Sequence, residues 1–538
     1  MRTRRQVLKD LAGLGLAACV RPAPKRAIAG SIVGASDARG HRVRDGFRPT
    51  PGRREEIPVV IVGAGIAGLS AAWALERAGL RDFVVLELED VPGGTARSGS
   101  GPVSAYPWGA HYVPVPDPAN RALVALLEEV GAVSGRDAGG RPVYAEQVLC
   151  RDPQERLFFR GEWYEGLFPR AGAAAAELAQ LESLEAEMRR WAEWRDARGR
   201  RGFAIPRARG SDDASIRALD RVSMGDWLAQ KGWTSPRLRW FVEYGCRDDF
   251  GATLSQTSAW AGVHYYAARL ESGASPAAEF LTWPEGNGRL VAHLAALAGR
   301  RLRLGAVVCD VVPRDGGAQV TYFEAASGEA VALAAEHVVF ALPRFLAGHL
   351  IEPYRQARPS HLDATVYGAW LVANLTLRER PVSRGFPLAW DNVLYDSPSL
   401  GYVVATHQSG IDHGATVLTY YLPLLDADPR VARRGLLGLG WEEAVARIRA
   451  DLEPAHPGLT QLVERVDIVK WGHAMPRPRP GFLWSDALRE SARPLGCVHF
   501  AHTDLSGMGL FEEAQYWGIR AAEAILEQRR AAFRSWLA

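Results

Sequence analysis

The sequence predicts an α/β protein in which a parallel-sheet domain is interleaved with an α+β domain. A continuous apolar run at residues 57–62 is followed at once by a glycine-rich turn and then by a helical pattern. A second apolar run at residues 83–86 ends in an acidic residue.

The glycine-rich turn is the strongest local signal. It reads Gly63, Ala64, Gly65, Ile66, Ala67 and Gly68, and we expect all of these except Ala64 to contact a nucleotide. In such a strand–turn–helix unit Gly63 permits the tight turn, Gly65 lets the backbone approach a diphosphate, and Gly68 lets the helix pack on the strand. The helix N-terminus presents unpaired N–H groups to the phosphates. Glu87 follows about 20 residues later, where a carboxylate can accept hydrogen bonds from ribose hydroxyls, so the unit predicts a Rossmann-like dinucleotide site.

Composition and charge exclude several classes of partner. The chain has 538 residues, of which 47% are hydrophobic, and a net charge of +3. This charge is too balanced to predict a nucleic-acid partner, so a small-molecule substrate is expected. The five cysteines show no CxxC pair and no metal-ligand spacing, so no metal site is predicted. The sequence leaves the oligomeric state open.

The N-terminus has the pattern of an export signal. The pair Arg4-Arg5 precedes an apolar stretch, residues 11–18, that is far shorter than the roughly 20 residues needed to span a bilayer. The paired arginines resemble a bacterial twin-arginine signal. Residues 16–19, Leu-Ala-Ala-Cys, resemble a lipobox, in which the cysteine carries a lipid. The alternative is a chance basic leader with a chance cysteine.

The export interpretation divides the first part of the chain in two. Residues 1–18 are predicted to be a twin-arginine signal peptide. Residues 19–56 are predicted to be a tether, because they are rich in Arg, Pro, Gly and Ala and have no apolar period. The mature protein is therefore expected to be periplasmic or in the cell envelope, held to a membrane by a lipid on Cys19.

A second glycine segment follows Glu87 closely. Its predicted cofactor contacts are Leu88, Gly93, Gly94, Thr95, Ala96 and Arg97. A Gly-Gly pair followed by Thr and Arg at this distance resembles the second phosphate-contacting segment of FAD oxidoreductases. On these residues the chain resembles the flavin amine oxidase and phytoene desaturase superfamily. The resemblance implies FAD as the cofactor, with Arg97 neutralising phosphate charge.

Later segments extend the resemblance. Residues 283–290 resemble the proline-glycine turn that opens a helix in this superfamily, and residues 302–308 resemble the strand that contacts the adenine, with Val307 at the contact position. Residues 337–343 resemble the strand and Ala-Leu-Pro segment through which, in this superfamily, the chain returns to the second domain. Residues 498–514 resemble the C-terminal flavin motif.

The C-terminal motif implies two features of the flavin site. Asp504 is expected near the ribityl chain. A helix N-terminus at Phe511, Glu512 and Glu513 is expected to point free N–H groups at the flavin. Such a terminus stabilises the negative charge of reduced flavin and so favours hydride acceptance.

The resemblance implies the flavin amine oxidase architecture, a Rossmann-like FAD-binding domain interleaved with an α+β substrate domain. The cofactor domain is predicted from residues 57–115, 280–345 and 467–538. The substrate domain is predicted from residues 116–279 and 346–466.

The family pattern also fails at defined points. Amine oxidases often hold a lysine near flavin N5, but the corresponding residues 364–374 include none. One of the aromatic positions that flank the flavin in monoamine oxidases falls near Leu510. Cys497 is not placed to bind flavin covalently, so noncovalent FAD is expected. Trp471 is expected beside the flavin and Lys470 is predicted to be catalytic; the alternative for Lys470 is a salt-bridge lysine at a strand end.

Candidate substrate-site residues come from three places. His111 and Tyr112 follow the Gly-Gly segment, where the family often brings residues under the flavin, so they join Lys470 as predicted catalytic residues. His502 and Trp517 are similar pocket candidates.

The third place is a pair of adjacent carboxylates. Asp248 and Asp249 lie close to aromatic residues in the sequence and could bind a cationic amine. The alternative is that one of them caps the N-terminus of a helix.

These residues predict an exported FAD-dependent oxidoreductase of amine-oxidase type that oxidises its substrate by hydride transfer to flavin N5. One alternative is a desaturase or porphyrinogen-oxidase-like enzyme acting on a lipophilic substrate, and another is a non-catalytic FAD-binding partner protein. An acidic and aromatic pocket lining would favour amines, whereas a wholly apolar lining would favour the desaturase.

Overall fold

The computed structural model describes residues 27–270, 280–425 and 428–538. The predicted signal peptide and Cys19 therefore lie outside the described residues. Among the helices of the described ranges, none is long and apolar enough to cross a membrane.

The strands are, in chain order, β1 (Ile32–Val33), β2 (Arg53–Glu56), β3 (Val59–Val62), β4 (Phe83–Leu86), β5 (Ser98–Ser100), β6 (Ala105–Pro107), β7 (Tyr112–Pro114), β8 (Val133–Arg136), β9 (Pro142–Tyr144), β10 (Glu155–Phe159), β11 (Glu162–Glu165), β12 (Phe280–Thr282), β13 (Leu302–Arg303), β14 (Ala306–Arg314), β15 (Gly317–Glu324), β16 (Ala330–Ala335), β17 (His337–Phe340), β18 (Tyr367–Leu377), β19 (Asp391–Leu394), β20 (Tyr402–Val404), β21 (Thr416–Leu424), β22 (Val463–Pro476) and β23 (Val498–Phe500).

The α-helices are α1 (Asp37–Arg44), α2 (Ile66–Arg77), α3 (Arg121–Glu129), α4 (Ala175–Glu193), α5 (Ala214–Ala218), α6 (Met224–Gln230), α7 (Pro236–Phe250), α8 (Ala259–Ala267), α9 (Gly288–Ala298), α10 (Arg344–Leu350), α11 (Glu352–Gln356), α12 (Pro429–Gly438), α13 (Trp441–Leu452), α14 (Leu459–Leu462), α15 (Asp486–Ser491) and α16 (Phe511–Gln528). Short 3-10 turns are Gly94–Ala96, Glu146–Val148, Arg207–Arg209, Leu219–Arg221, Gly299–Arg301, Ser360–Asp363, His407–Ser409 and Thr503–Leu505.

A five-stranded sheet in the order β13-β4-β3-β17-β23 forms the predicted nucleotide domain. Every pairing in it is parallel. All four residues of β3 and of β4 are buried, because a parallel sheet is covered on both faces. The two apolar runs at residues 57–62 and 83–86 therefore supply adjacent parallel strands, and the predicted α/β fold class is confirmed.

An eight-stranded mixed sheet in the order β1-β22-β18-β21-β20-β19-β10-β11 forms the predicted substrate domain. Helices α4 to α8, together with Phe482, Leu483 and Met508, build a separate apolar core. β22 pairs with β18 along almost its whole length, so residues 467–476 belong to this sheet. The predicted cofactor segment 467–538 begins too early, because its first ten residues are part of β22 in the substrate sheet.

The described part of the predicted tether is folded, so the tether interpretation is wrong for residues 27–56. β1 pairs in parallel with β22, and β2 pairs in parallel with β16 at the edge of a four-stranded sheet. α1 lies between them, with Ser36 as its N-cap. β1 and β2 are too short to show a periodicity in the sequence, and their partner strands lie hundreds of residues away, so no pattern in the sequence indicated them.

Candidate active site

The turn between β3 and α2 has the geometry that a nucleotide diphosphate requires. Gly63 adopts φ +101°, a left-handed conformation that favours glycine. A side chain at Gly68 would place its Cβ 1.9 Å from the Gly63 carbonyl oxygen, whereas a Cβ at Gly65 would meet open space. The N-cap of α2 is Gly65, which has no side chain to cap the helix, so the first N–H groups of α2, from Ile66 to Gly68, remain available to an anion.

Glu87 ends β4 beside this turn, as predicted. Its carboxylate accepts hydrogen bonds from the backbone N–H of Ala64 at 2.7 Å and of Glu89 at 3.0 Å. Burial raises the pKa of Glu87, although these two donors oppose the shift. The N–H of Ala306 donates to the Glu87 carbonyl oxygen at 2.8 Å. This bond brings the start of β14, where Val307 is the second residue, to the end of β4.

The Gly-Gly segment closes onto the same turn. Gly93 N–H donates to the Ala64 carbonyl oxygen at 2.8 Å, and the 3-10 turn that follows ends at Arg97. Arg97 is only 5% exposed, and its guanidinium lies 5.1 Å from the centre of the Trp471 ring. Among the described residues its Nη2 has no hydrogen-bond partner. A buried guanidinium without an acceptor is a site for a diphosphate, so these residues fit FAD.

A cavity begins where the Gly-Gly segment ends and extends into the substrate domain. Thr95 and the N-terminus of α16, with Leu510, Phe511 and Glu512, line its inner end. β7, β18, β21 and β22 supply the walls. The cavity therefore lies between the nucleotide sheet and the substrate sheet, where both can contact one ligand.

Aromatic rings form much of the cavity wall. Trp370 on β18 and Trp471 on β22 are directly opposite each other in the register of the sheet, and both line the cavity. The Tyr421 hydroxyl donates to the Gly109 carbonyl oxygen at 2.8 Å, which fixes that ring against the loop before β7. Leu510 also lines the cavity. It is not aromatic, and these rings on the strands supply aromatic character to the lining instead.

His111 and Tyr112 both line the cavity, as predicted. The His111 ring packs against the rings of Tyr421 and Trp390 at centroid distances of 4.9 and 5.4 Å. Burial lowers the pKa of His111 to about 4, so its imidazole is neutral at physiological pH. Burial raises the pKa of Tyr112 well above its ordinary value, so its hydroxyl stays protonated.

Asp248 and Asp249 also line the cavity. They lie in the last turn of α7, whose N-cap is Ser235, so the interpretation of either as an N-cap is wrong. Burial, followed by the charge of Asp249, raises the pKa of Asp248 to about 7. Asp249 forms an ion pair with Arg269 at 2.7 Å, with both side chains nearly inaccessible.

Two further carboxylates complete an acidic end of the cavity. Asp391, the first residue of β19, accepts a hydrogen bond from the Tyr244 hydroxyl at 2.9 Å. Burial, followed by the charges of Asp248 and Glu155, raises the pKa of Asp391 well above its ordinary value. Burial also raises the pKa of Glu512 to about 7. Sequence reasoning missed Asp391, because a lone acidic residue before a short strand carries no motif.

Lys470 is not placed to act in the cavity. Successive residues of a strand point to opposite faces, so Trp471 faces the cavity and Lys470 faces away. The Lys470 ammonium donates to the Leu437 carbonyl oxygen on α12 at 3.1 Å. The prediction that Lys470 is catalytic is wrong for this geometric reason.

Two other predicted contacts at the C-terminal motif, Asp504 and Glu513, accept hydrogen bonds from neighbouring elements of the protein. The Asp504 carboxylate accepts hydrogen bonds from the Arg344 N–H and the Tyr367 hydroxyl. The Glu513 carboxylate accepts from the Arg207 N–H and from a serine hydroxyl. Neither side chain lines the cavity. Both hydrogen bonds to Asp504 use Oδ2, and its Oδ1 has no hydrogen-bond partner among the described residues, so a contact between Asp504 and the cofactor stays a prediction.

The two remaining pocket candidates lie elsewhere. His502 lies 2.9 Å from a carboxylate oxygen of Asp504 and is not among the cavity-lining residues. The Trp517 indole N–H donates to the Ser506 hydroxyl at 2.7 Å, on the outer side of the motif. Of the C-terminal residues named as contacts, the cavity is lined by Phe511 and Glu512.

Comparison with known proteins agrees with this geometry. The family model described as flavin containing amine oxidoreductase matches residues 66–526. The chain belongs to the flavin-containing amine oxidoreductase family. This oxidoreductase uses FAD, which the glycine turns, Glu87 and Arg97 would hold. No curated protein matches its sequence.

Several solved structures share the fold of this amine oxidoreductase. A putrescine oxidase double mutant aligns over 88% of this chain and 100% of its own, with 20% identity and a TM-score of 0.65. Cyclohexylamine oxidase from Brevibacterium oxydans IH-35A aligns over 88% and 100%, with 19% identity and a TM-score of 0.61. A CLA-producing fatty acid isomerase from P. acnes aligns over 88% and 98%, with 15% identity and a TM-score of 0.60.

Proposed function

We propose that the enzyme oxidises amines that enter the cavity as cations. The observation that carries this proposal is the excess of carboxylates over basic groups in the cavity lining. Asp248, Asp249, Asp391 and Glu512 face Arg269 and a neutral His111. Because Arg269 is paired with Asp249, the other three carboxylates have no basic side chain among the lining residues of the described ranges.

A bound ammonium group would relieve the main electrostatic cost of this cluster. Burial makes ionised carboxylates unfavourable, and their mutual repulsion adds to that cost. A cation placed among Asp248, Asp391 and Glu512 offsets both effects. The faces of Trp370 and Trp471 add favourable cation–π interactions with the same charge.

The same carboxylates can accept a proton from the substrate nitrogen. The C–H hydrogen leaves the substrate carbon as a hydride only after the neighbouring nitrogen has lost its additional proton, because the nitrogen lone pair must form the C=N bond. The carboxyls of Asp248 and Glu512 have pKa values of about 7, so either can accept this proton near neutral pH. The product is an imine, which water converts to a carbonyl compound and an amine or ammonia.

The cavity lining supports amines over the lipophilic alternative. A desaturase that acts on uncharged hydrocarbon would leave several buried carboxylates without a partner, at a considerable cost. Structural likeness at 15–20% identity to enzymes named for amines and to one named for a fatty acid does not choose between these substrates. The charge of the lining provides the basis for the choice.

A dye-coupled assay tests the proposal without knowledge of the natural electron acceptor. The purified FAD-loaded chain is mixed with an artificial acceptor dye and a panel of primary amines, diamines, amino acids, long-chain alcohols and fatty acids. We expect dye reduction with amines and equimolar formation of a trapped carbonyl product. Dye reduction by uncharged or anionic lipids, with none from any amine, would overturn the proposal.

We also propose that the enzyme acts in the cell envelope. The support comes from the sequence alone: Arg4-Arg5, the apolar residues 11–18 and Cys19. A twin-arginine route carries folded proteins, which suits a chain whose cofactor is enclosed between two domains.

A further inference from the structure

The segment before the nucleotide sheet packs against the loops that hold FAD. Residues 30–44, here named the N-terminal strap, comprise β1, a glycine turn and α1. Ile32 and Val33 pair with Ile468 and Val469, so the strap lies along β22 immediately before Trp471. Nothing in its sequence marked the strap as part of a cofactor site.

The helical end of the strap is fixed to the loop that follows Glu87. The Arg39 guanidinium donates to the Leu88 carbonyl oxygen at 2.9 Å and to the Asp90 carboxylate at 2.9 and 3.0 Å. The Ser36 N–H donates to the Glu89 carboxylate at 2.7 Å. Each of these acceptors belongs to the segment between the ribose carboxylate and the Gly-Gly pair.

The glycine turn of the strap lies against Arg97. Gly34 has φ +100°, and a Cβ at this position would lie 2.5 Å from the Arg97 Nη2 and 2.8 Å from a Val469 methyl carbon. This is the same nitrogen that has no hydrogen-bond partner among the described residues. A buried cation and a close-packed glycine turn thus face each other at the diphosphate end of the site.

We propose that the N-terminal strap is a wall of the FAD site. The turn at residues 34–36 closes over the diphosphate that Arg97 binds. The strap is then stabilised by FAD and slows its release. Gly34 is required because any side chain there would displace Arg97.

Hydrogen exchange of the full chain tests this coupling directly. The chain is compared without nucleotide and with FAD, ADP or riboflavin. We expect the amides of residues 31–38 to exchange at least about tenfold more slowly with FAD or ADP than without nucleotide, and riboflavin to give no protection. Equal exchange in all four samples would overturn the proposal. Protection by riboflavin alone would also overturn it, because the strap would then contact the flavin rather than the diphosphate.

A pair of matched glycine variants separates contact from backbone strain. Gly34→Ala and Gly46→Ala both place a side chain at positive φ, but a Cβ at Gly46 meets nothing within 4 Å. We expect Gly34→Ala to raise the FAD dissociation constant at least about tenfold, measured by quenching of tryptophan fluorescence, and Gly46→Ala to change it less than about twofold. Equal effects of the two substitutions on FAD affinity would contradict a strap contact. The exchange measurement on the unmodified chain decides the question if Gly34→Ala does not fold.

Discussion

Asp249 and Arg269 form a buried ion pair across the cavity wall, with 2.7 Å between carboxylate oxygen and guanidinium nitrogen. The Asp249 charge raises the pKa of Arg269 although burial opposes the shift. Burial raises the pKa of Asp249, and the Arg269 charge opposes that shift. Among the described residues, the Asp248 carboxylate, one residue earlier, has one side-chain hydrogen-bond partner, the Tyr265 hydroxyl at 3.4 Å. The protein therefore neutralises one carboxylate and leaves its neighbour to a ligand.

Removal of the Asp248 charge should weaken the binding of a cationic substrate. Asp248→Asn keeps the shape and deletes the charge, so we expect kcat/KM for a reactive amine to fall about 10- to 100-fold, mainly through KM. Asp396→Asn is the matched control, because Asp396 is exposed and not part of the cavity lining. Steady-state kinetics with the same amine provide the comparison. Equal effects of the two variants would contradict a role for Asp248 in substrate binding.

The rate should depend on pH through the cavity carboxyls. Below pH 7 the Asp248 and Glu512 carboxyls are protonated and cannot attract a cation; above pH 7 they are ionised. We expect kcat/KM for an amine to rise between about pH 6 and 8, and Asp248→Asn to flatten part of that rise. His111, whose pKa is about 4, should leave no inflection in this range. A profile that is flat from pH 6 to 8 in the wild type would contradict this account.

The Asp248 carboxyl should lower the stability of the fold at high pH. The pKa of Asp248 is raised from 3.8 to about 7 in the folded protein, so folding favours the protonated carboxyl. The free energy of unfolding therefore falls as the pH rises from 4 through 7, because the carboxyl must then ionise in the folded protein. Asp248→Asn should therefore raise the melting temperature at pH 8 by about 1–3 °C, with a smaller gain at pH 5. Thermal unfolding at equal FAD saturation measures the difference. A larger rise in melting temperature at pH 5 than at pH 8 would contradict this prediction, because the pH dependence would then have the opposite sign.

Lys470 should be dispensable for chemistry. Its ammonium lies on the face of β22 that points away from the cavity and donates to a backbone carbonyl. We expect Lys470→Met to leave the rate of anaerobic flavin reduction within about twofold of the wild type, whereas Trp471→Leu should slow it. A loss of more than tenfold in Lys470→Met with FAD fully bound would restore Lys470 as a catalytic candidate.

The N-terminal signal should direct export and lipid attachment. Replacement of both Arg4 and Arg5 by lysine should retain the chain in the cytoplasm, and Cys19→Ser should allow export without membrane attachment. Fractionation of expressing bacteria, with labelled fatty acid to follow Cys19, measures both effects. A chain that fractionates in the same way in all three forms would contradict the signal.

The glycine turns and their strands could be predicted because they obey local rules. Gly63 needs a positive φ and Gly68 needs contact with backbone, and both requirements are visible in a six-residue motif. The strands β3 and β4 could be predicted from their apolar runs, because such runs are visible without information about distant residues. Glu87 could be placed by its distance along the chain alone.

The rest of the site depends on contacts between distant residues. Asp391 reaches the cavity because β19 pairs with β10, whose Glu155 lies beside it in the register. Lys470 and Trp471 could be assigned to a strand, but only the pairing with β18 decides which of them faces the cavity. The N-terminal strap was missed because two paired residues in β1 give no periodicity, and its partners lie more than 400 residues away.

Anaerobic stopped-flow reduction tests the central claim most directly. The FAD-loaded chain is mixed with a cationic amine and, separately, with an uncharged alcohol of the same carbon skeleton, while the flavin absorbance is followed. The account predicts saturable bleaching by the amine, a weaker apparent affinity in Asp248→Asn, and no bleaching by the alcohol. Bleaching by the alcohol or by an uncharged lipid, with none from any amine tested, would contradict the assignment of the acidic cavity to amine substrates.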